Sequence, residues 1–301
     1  MSAEIRNMFS SKILLFGEYT LIKGSQGLAF PLREYCGAFK KAEEQENEQP
    51  HFSLEAFCKY LQGSKLISER MNLNAFEADI EKGYYFDSNI PQGYGIGSSG
   101  ALCAAVYARY SHDFERKDSY SSKELMELKD AMALMECFYH GSSSGLDCLI
   151  SLIDRPVFIE DRNIFHIVQR PDFSQFGSFY LYDSGESRKT APLVHSFLNR
   201  YEEDDEYKDD IDGFVLFMNR IIADFLAGNK DKFRESFYEL SRFQYLHFSE
   251  MIPQSLRNRW LEGLETKEYF FKFCGAGGGG FFMVYSDQSN IDFLKECTKI
   301  T

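Results

Sequence analysis

The stretch Pro91-Gln-Gly-Tyr-Gly-Ile-Gly-Ser-Ser-Gly100 is followed at once by an Ala-rich apolar run over 101–110. Glycines at 93, 95, 97 and 100 let backbone N–H groups approach a ligand closely. The apolar run predicts a helix, whose N-terminal end carries partial positive charge. Loop and helix together make an anion site suited to phosphates. A plain tight loop is the alternative. No Gly-Lys-Ser/Thr follows, so a P-loop is excluded. Gly95-x-Gly97-x-x-Gly100 matches the dinucleotide fingerprint literally, but that fingerprint must directly follow a strand, and here Pro91 and Gly93 intervene.

Two further segments carry chemistry. Residues 122–139 read as a helix with Ser122 as N-cap, broken by Gly141-Ser-Ser-Ser-Gly145. Gly141-x-Ser143-x-Gly145 fits the hydrolase elbow, but the elbow needs a strand before its serine, and a helix precedes this one. Glu136 and Asp147 flank the break. A hard cation such as Mg²⁺ takes carboxylate and hydroxyl oxygens, and a hydroxyl nucleophile wants a carboxylate beside it. The bland readings are a solvated helix acid and a capping residue. His140, four residues after Glu136, reads first as a helix-end residue that complements the dipole. The other segment is Gly275-Ala-Gly-Gly-Gly-Gly280, between apolar runs at 269–273 and 281–285. A bare backbone there can pack against another loop or a ligand, or form a flexible hairpin.

The rest of the 301 residues read as an α+β protein. Strands are expected at 13–16, 28–32 and 179–182, a strand pair at 76–86 and another buried segment at 146–152. Helices are expected at 52–66 and, beyond a soft boundary near 172, at 191–203, 211–227, 231–249 and 254–264. Residues 43–49 read as a solvated acidic loop. The 29 Phe and 18 Tyr must mostly be packed. With 46 acids against 33 bases the net charge is −13, which repels nucleic acid and anionic membranes. An anionic substrate then needs a locally positive pocket. Seven scattered cysteines, with no CxxC pair, read as reduced thiols of a cytoplasmic protein. No apolar run approaches the roughly 20 residues of a membrane helix.

Three segments, in order, resemble the GHMP kinases, the superfamily of galactokinase, homoserine kinase, mevalonate kinase and phosphomevalonate kinase. Ser11-Lys-Ile-Leu-Leu-Phe-Gly-Glu-Tyr-Thr-Leu-Ile-Lys-Gly24 looks like the first motif. Residues 91–101 are similar to P-x-x-x-G-L-G-S-S-A, with Ile96 for Leu and Gly100 for the first Ala. Residues 275–280 resemble the third. Glu136, His140-Gly141 and Ser144-Gly145-Leu146-Asp147 match the spacing of the mevalonate kinase branch, and Ser184 with Thr190 matches D-T-G-x-x-x-x-T. The resemblance implies a two-domain fold: an N-terminal ribosomal-protein-S5-like domain over 1–172 and a C-terminal ferredoxin-like sandwich with extra helices over 173–301.

Position by position, the resemblance implies a site using ATP and Mg²⁺. Asp147 would be the catalytic base or stabiliser, and Lys12 would neutralise charge at the transferring phosphoryl group. Ser99 and Glu136 would hold Mg²⁺. Pro91, Gly93, Gly95, Ile96, Gly97, Ser98, Ser99 and Gly100 would form the nucleotide loop. Glu18, Tyr19, His140, Ser144, Gly145, Ser184, Arg188, Thr190 and the segment Gly275, Ala276, Gly277, Gly278 would contribute to the small-molecule alcohol site. Arg188 or Lys189 would meet a substrate carboxylate or be surface charges. Departures are Tyr19 where mevalonate kinases carry His, Cys148 where Asn is usual, and a missing Gly-Gly pair near 153–156. Gly-Glu-Tyr is common in phosphomevalonate kinases, so that activity or a sugar-1-kinase is the nearest alternative. A non-catalytic nucleotide-binding sensor is the alternative of another class. Relatives are often homodimers.

Overall fold

The computed structural model describes residues 7–42, 53–187 and 190–300, and for Thr190 and Ala191 the backbone alone. Strands and helices mix throughout, as the α+β reading expects. One sheet orders its strands β1 (Phe9–Phe16), β2 (Gly27–Lys41), β4 (Val157–Ile159) and β5 (Phe165–Ile167), with β3 (Tyr84–Ser88) paired to β2. The other orders β7 (Phe270–Phe273), β8 (Phe281–Ser286), β6 (Ser178–Asp183) and β9 (Thr298–Lys299). The chain divides into two compact units, neither continuous in sequence.

The first unit comprises residues 1–12, 30–91 and 97–157. Its antiparallel β2–β3 ladder runs from Gly37 opposite Ser88 to Lys41 opposite Tyr84. The ring of Phe86 lies over Gly37, filling the space a side chain there would occupy. Helix α1 (Leu54–Gln62) begins at Ser53, whose Oγ accepts the Ala56 N–H at 3.3 Å. Short helix α2 (Lys65–Ser68) follows. Helix α3 (Leu73–Glu81) starts where Asn72 Oδ1 accepts the Ala75 N–H at 3.0 Å.

The strand pair expected over 76–86 is therefore corrected: most of it is α3, and only its end lies in β3. An Asn cap and the buried Leu73 and Phe76 outweigh the apparent alternation of aromatic residues. Helix α4 (Ser98–Tyr110) is buried over most of its length, because its small side chains admit neighbours on every side. Helices α5 (Ser122–His140) and α6 (Leu146–Ile153) pack on it. The N-cap of α5 is Ser121, one residue earlier than expected. Its hydroxyl accepts the Glu124 N–H while the Glu124 carboxylate accepts the Ser121 N–H, a reciprocal box that Ser122 could not form.

The second unit comprises residues 13–29, 92–96 and 158–301. Its sheet is antiparallel, with Asp183 opposite Phe281 and Phe271 opposite Val284. Helices α7 (Thr190–Glu203), α8 (Asp205–Leu226), α9 (Phe233–His247) and α10 (Gln254–Thr266) complete it. Helix α8 begins earlier than the expected 211, inside an acidic stretch. Asp204 caps α8 by accepting the Tyr207 N–H, and Asp205 and Glu206 sit in the first turn, where the dipole favours them. Trp260 stacks 5.4 Å from Phe271 and donates Nε1–H to Ser241 Oγ at 2.9 Å, so its polar edge is satisfied inside the core. The expected loop at 43–49 and the expected helix start at Phe52 lie outside the described residues. The cysteines at 36, 58, 103, 137, 148, 274 and 297 are free thiols. Among the described residues no helix is long and apolar enough to cross a membrane.

Candidate active site

The first unit assembles its polar cluster where α4 and α6 begin. Gly97 is the N-cap of α4, in left-handed conformation with φ 81°. A Cβ there would lie 3.2 Å from Asp147 Oδ2 and 3.5 Å from Lys12 Cγ, so the bare backbone lets the loop pass directly over both side chains. Lys12 is the last residue of the first unit's opening segment, on β1, and its Nζ lies 3.2 Å from Asp147 Oδ1. Asp147 occupies the first turn of α6, where the helix end favours a carboxylate. Gly145 caps α6 with φ 73°, and a Cβ there would meet the Lys129 carbonyl and, at 2.6 Å, the Ala133 nitrogen. Gly145 is thus what lets α6 start against the side of α5.

Glu136 faces the same place from α5 and is 5% exposed. Ser99 Oγ donates to Glu136 Oε1 at 3.0 Å and lies 2.9 Å from His140 Nε2. Ser143 donates to Glu136 Oε2, and its Oγ accepts the Gly145 N–H at 2.9 Å. Burial pushes the Glu136 carboxyl above its usual range, and the charge of Asp147 pushes it further, against the opposing hydroxyl bonds. Cys148 is fully buried beside Glu136 and Cys103, and burial raises its thiol well above the ordinary value, so it is not a reactive nucleophile. A buried carboxylate facing a second carboxylate, with a serine hydroxyl between helices, is a donor set suited to a hard cation. Among the described residues no group of three His, Cys, Asp or Glu side chains could hold a metal by itself. Glu136 and Ser99 fit Mg²⁺ when phosphate oxygens and water complete its shell, as is usual for that ion.

The second unit holds the other expected residues. Glycines 93 and 95 have φ 78° and 75°, and a Cβ on Gly275 would lie 3.4 Å from the Gly95 carbonyl. A Cβ on Gly280 would lie 2.6 Å from Tyr94 Cα, so the third glycine-rich segment packs backbone to backbone on residues 92–96. Ser184 N–H donates to the Gly280 carbonyl at 3.1 Å, and Ser184 Oγ accepts the Glu186 N–H at 3.3 Å. Gly278 N–H donates to Met251 O. Tyr19 is buried, and its hydroxyl donates to the Ala276 carbonyl. Glu18 is 2% exposed and accepts from Lys272 Nζ. Ser144 Oγ, in the first unit, accepts the Leu146 N–H at 3.3 Å. Arg188 and Lys189 lie outside the described residues, as does the side chain of Thr190.

Sequence reading passed over two partners. Ser143 was weighed as a hydrolase serine, yet it is a clamp on Glu136. A hydroxyl two residues before a glycine N-cap is the signal that could have found it. Lys272 was hidden in Phe-Phe-Lys-Phe, where a lone cation with no exposed face implies a buried anion.

Comparison with known proteins finds relatives of this chain in sequence and in fold. The family signature described as GHMP kinases N terminal domain matches residues 59–155. A mevalonate kinase of Thermococcus sibiricus is 25% identical over 305 residues, covering 90% of this chain and 85% of that one. The solved mevalonate kinase of Methanococcus jannaschii superposes with a TM-score of 0.62 at 20% identity, over 96% of this chain and 93% of that one. A Streptococcus pneumoniae phosphomevalonate kinase, solved with phosphomevalonate and AMPPNP, superposes at 0.60 with 15% identity, over 94% and 92%. Both superpositions establish a shared fold. Together with the matched domain and the near full-length similarity to mevalonate kinases, they make this chain similar to the GHMP kinases in sequence and in fold.

Proposed function

We propose that this protein is a mevalonate kinase, transferring the γ-phosphoryl group of ATP to the 5-hydroxyl of mevalonate. The observation that carries the reading is the Lys12–Asp147 pair, 3.2 Å apart beneath the Gly97 turn that opens α4. Phosphoryl transfer needs alignment and charge stabilisation more than covalent chemistry. Asp147 accepts the proton of the acceptor hydroxyl or stabilises charge in the transition state. Lys12 holds that carboxylate in place and offsets negative charge on the moving group. The loop 91–100 and the start of α4 receive the phosphates of ATP, the anion preference of a helix N-terminus outweighing the −13 net charge locally. Ser99 and Glu136 would hold Mg²⁺, which would supply neutralisation of phosphate charge. His140 and Ser143 fix the Ser99 and Glu136 oxygens.

The substrate is chosen by similarity to mevalonate kinases over nine tenths of the chain. Tyr19 leaves phosphomevalonate as the second reading, since Gly-Glu-Tyr is common in that branch. The tyrosine hydroxyl, however, is engaged with the Ala276 carbonyl, which weakens Tyr19 as a reporter of substrate. The same reading includes a place in isoprenoid synthesis, a cytoplasmic location, a homodimer and an N-terminal and a C-terminal domain over 1–172 and 173–301.

The test is ADP release with ATP and Mg²⁺ against mevalonate, phosphomevalonate, galactose and homoserine. Turnover confined to mevalonate is expected. Turnover only with another acceptor keeps the mechanism and discards the substrate. Asp147→Asn should lose turnover by about 10³-fold or more while still binding ATP, the scale seen when a catalytic group is removed. An Asp147→Asn variant with full turnover would refute the assigned role.

A further inference from the structure

Strand β7 is Phe270-Phe-Lys-Phe273, and all four residues are buried. Lys272 is 0% exposed. An ammonium in such surroundings is tolerated only when its three protons meet acceptors. They do: Nζ donates to Leu14 O at 3.1 Å, to Phe273 O and to Glu18 Oε1. Two of those acceptors belong to the end of β1 and the turn after it. The third lies two residues before Gly275.

The neighbour of Glu18 makes a second tie to the same place. Tyr19 donates its hydroxyl to the Ala276 carbonyl at 2.5 Å, and its ring lies 5.0 Å from those of Phe197 and Phe248. Its φ is 63° with ψ −42°, a positive-φ backbone outside the left-handed helical well that a non-glycine residue adopts only when its surroundings enforce it. With that φ, consecutive side chains reach β7 and the glycine-rich segment at once. The Lys272–Glu18 pair ties the segment just before it begins, and the Tyr19 hydroxyl ties it at its second residue.

We propose that Lys272 is a positioning residue, and that with Glu18 and Tyr19 it forms a clasp that presets the backbone of residues 275–280 before any ligand arrives. Glu18 then serves substrate binding only through that clasp. Tyr19, where mevalonate kinases carry His, is its second half. The part of the inference that concerns turnover rests on the kinase reading above. The part that concerns backbone order does not.

A buried pair that only fills space can be exchanged for apolar residues of similar size without loss of stability. The experiment uses the full chain carrying Glu18→Met with Lys272→Met, and separately Tyr19→Phe. Amide hydrogen exchange is followed by mass spectrometry over peptides spanning 275–280, alongside thermal unfolding and kinetics. The clasp predicts exchange about tenfold faster in those peptides in both variants, with peptides of α8 and α9 unchanged. It also predicts kcat lowered about tenfold, with KM for mevalonate altered less, as misplacement of a group that orients the reactants does. Wild-type exchange over 275–280 in the folded double variant overturns the proposal, whatever its activity. If the double variant does not fold, Tyr19→Phe decides: unchanged exchange there overturns it equally. Faster exchange in a protein that phosphorylates none of the four acceptors would uphold the clasp and remove the kinase reading.

Discussion

Gly100 stands where the GHMP kinases carry alanine, and restoring that alanine should harm this protein. An added Cβ would lie 3.0 Å from the Asp147 carbonyl carbon, from Asp147 Cβ and from the Cys148 nitrogen. None of these is the end of a flexible side chain. Ordinary carbon contacts begin near 3.5 Å, so α4 and the start of α6 must part by about 0.5 Å. Overpacking of this kind costs about 1–3 kcal/mol, while alanine in place of glycine within a helix returns about 0.5–1 kcal/mol. The net is a loss of about 0–2.5 kcal/mol, or a fall of up to a few degrees in Tm for a chain of this size. The effect on rate should be the larger one. The displaced group is Asp147; in its proposed role it sits at the reacting centre, where a misplacement of about 1 Å costs about 100-fold, so half of that costs about tenfold in kcat. The assays are thermal unfolding and steady-state ADP release with mevalonate. A Gly100→Ala protein with unchanged or raised Tm and full kcat would refute the argument that this contact sets the position of Asp147.

Two other perturbations follow from the same cluster. Gly145→Ala should not yield soluble folded protein, since its Cβ meets the Lys129 carbonyl and the Ala133 backbone and its φ is 73°; recovery of folded protein with normal circular dichroism would contradict this. Glu136, raised by burial and then by Asp147, holds its proton more tightly in the folded than in the unfolded state. Its contribution to stability is therefore full below the unfolded carboxyl range and is lost as pH rises through the raised folded value. Thermal unfolding of the ligand-free protein should thus show stability falling with pH above about 4–5, and Glu136→Gln should flatten that fall. An identical pH profile in Glu136→Gln would show that other groups govern it.

What the residues revealed in advance depended on how local the cause was. The turn at Gly97, the helix after it and the break between α5 and α6 are written in glycines and caps that act over a few positions, and they read correctly. Lys12, Ser99, Glu136, His140 and Asp147 were named from sequence, and the fold brings them around one glycine turn. Residues 76–86 misled because aromatic alternation imitates a strand when a helix is capped by a residue outside the window. β4 and β5, three residues each, carry too few positions for any period to register. Lys272 was missed for a different reason: its meaning lies in a carboxylate 254 positions away.

That separation has a consequence for how the protein is made. Synthesis at about 5–20 residues per second puts Lys272 on the order of 10–50 s behind Glu18. Until then the carboxylate has no ammonium to receive, and residues 13–29 cannot take their places in the second unit. The unit that borrows this early segment is completed last, through a contact of very high sequence separation, the kind that slows folding. Removing residues beyond 260 would leave Glu18 with its partner gone, so a shortened chain should be recovered with chaperones or in inclusion bodies rather than as a smaller folded protein.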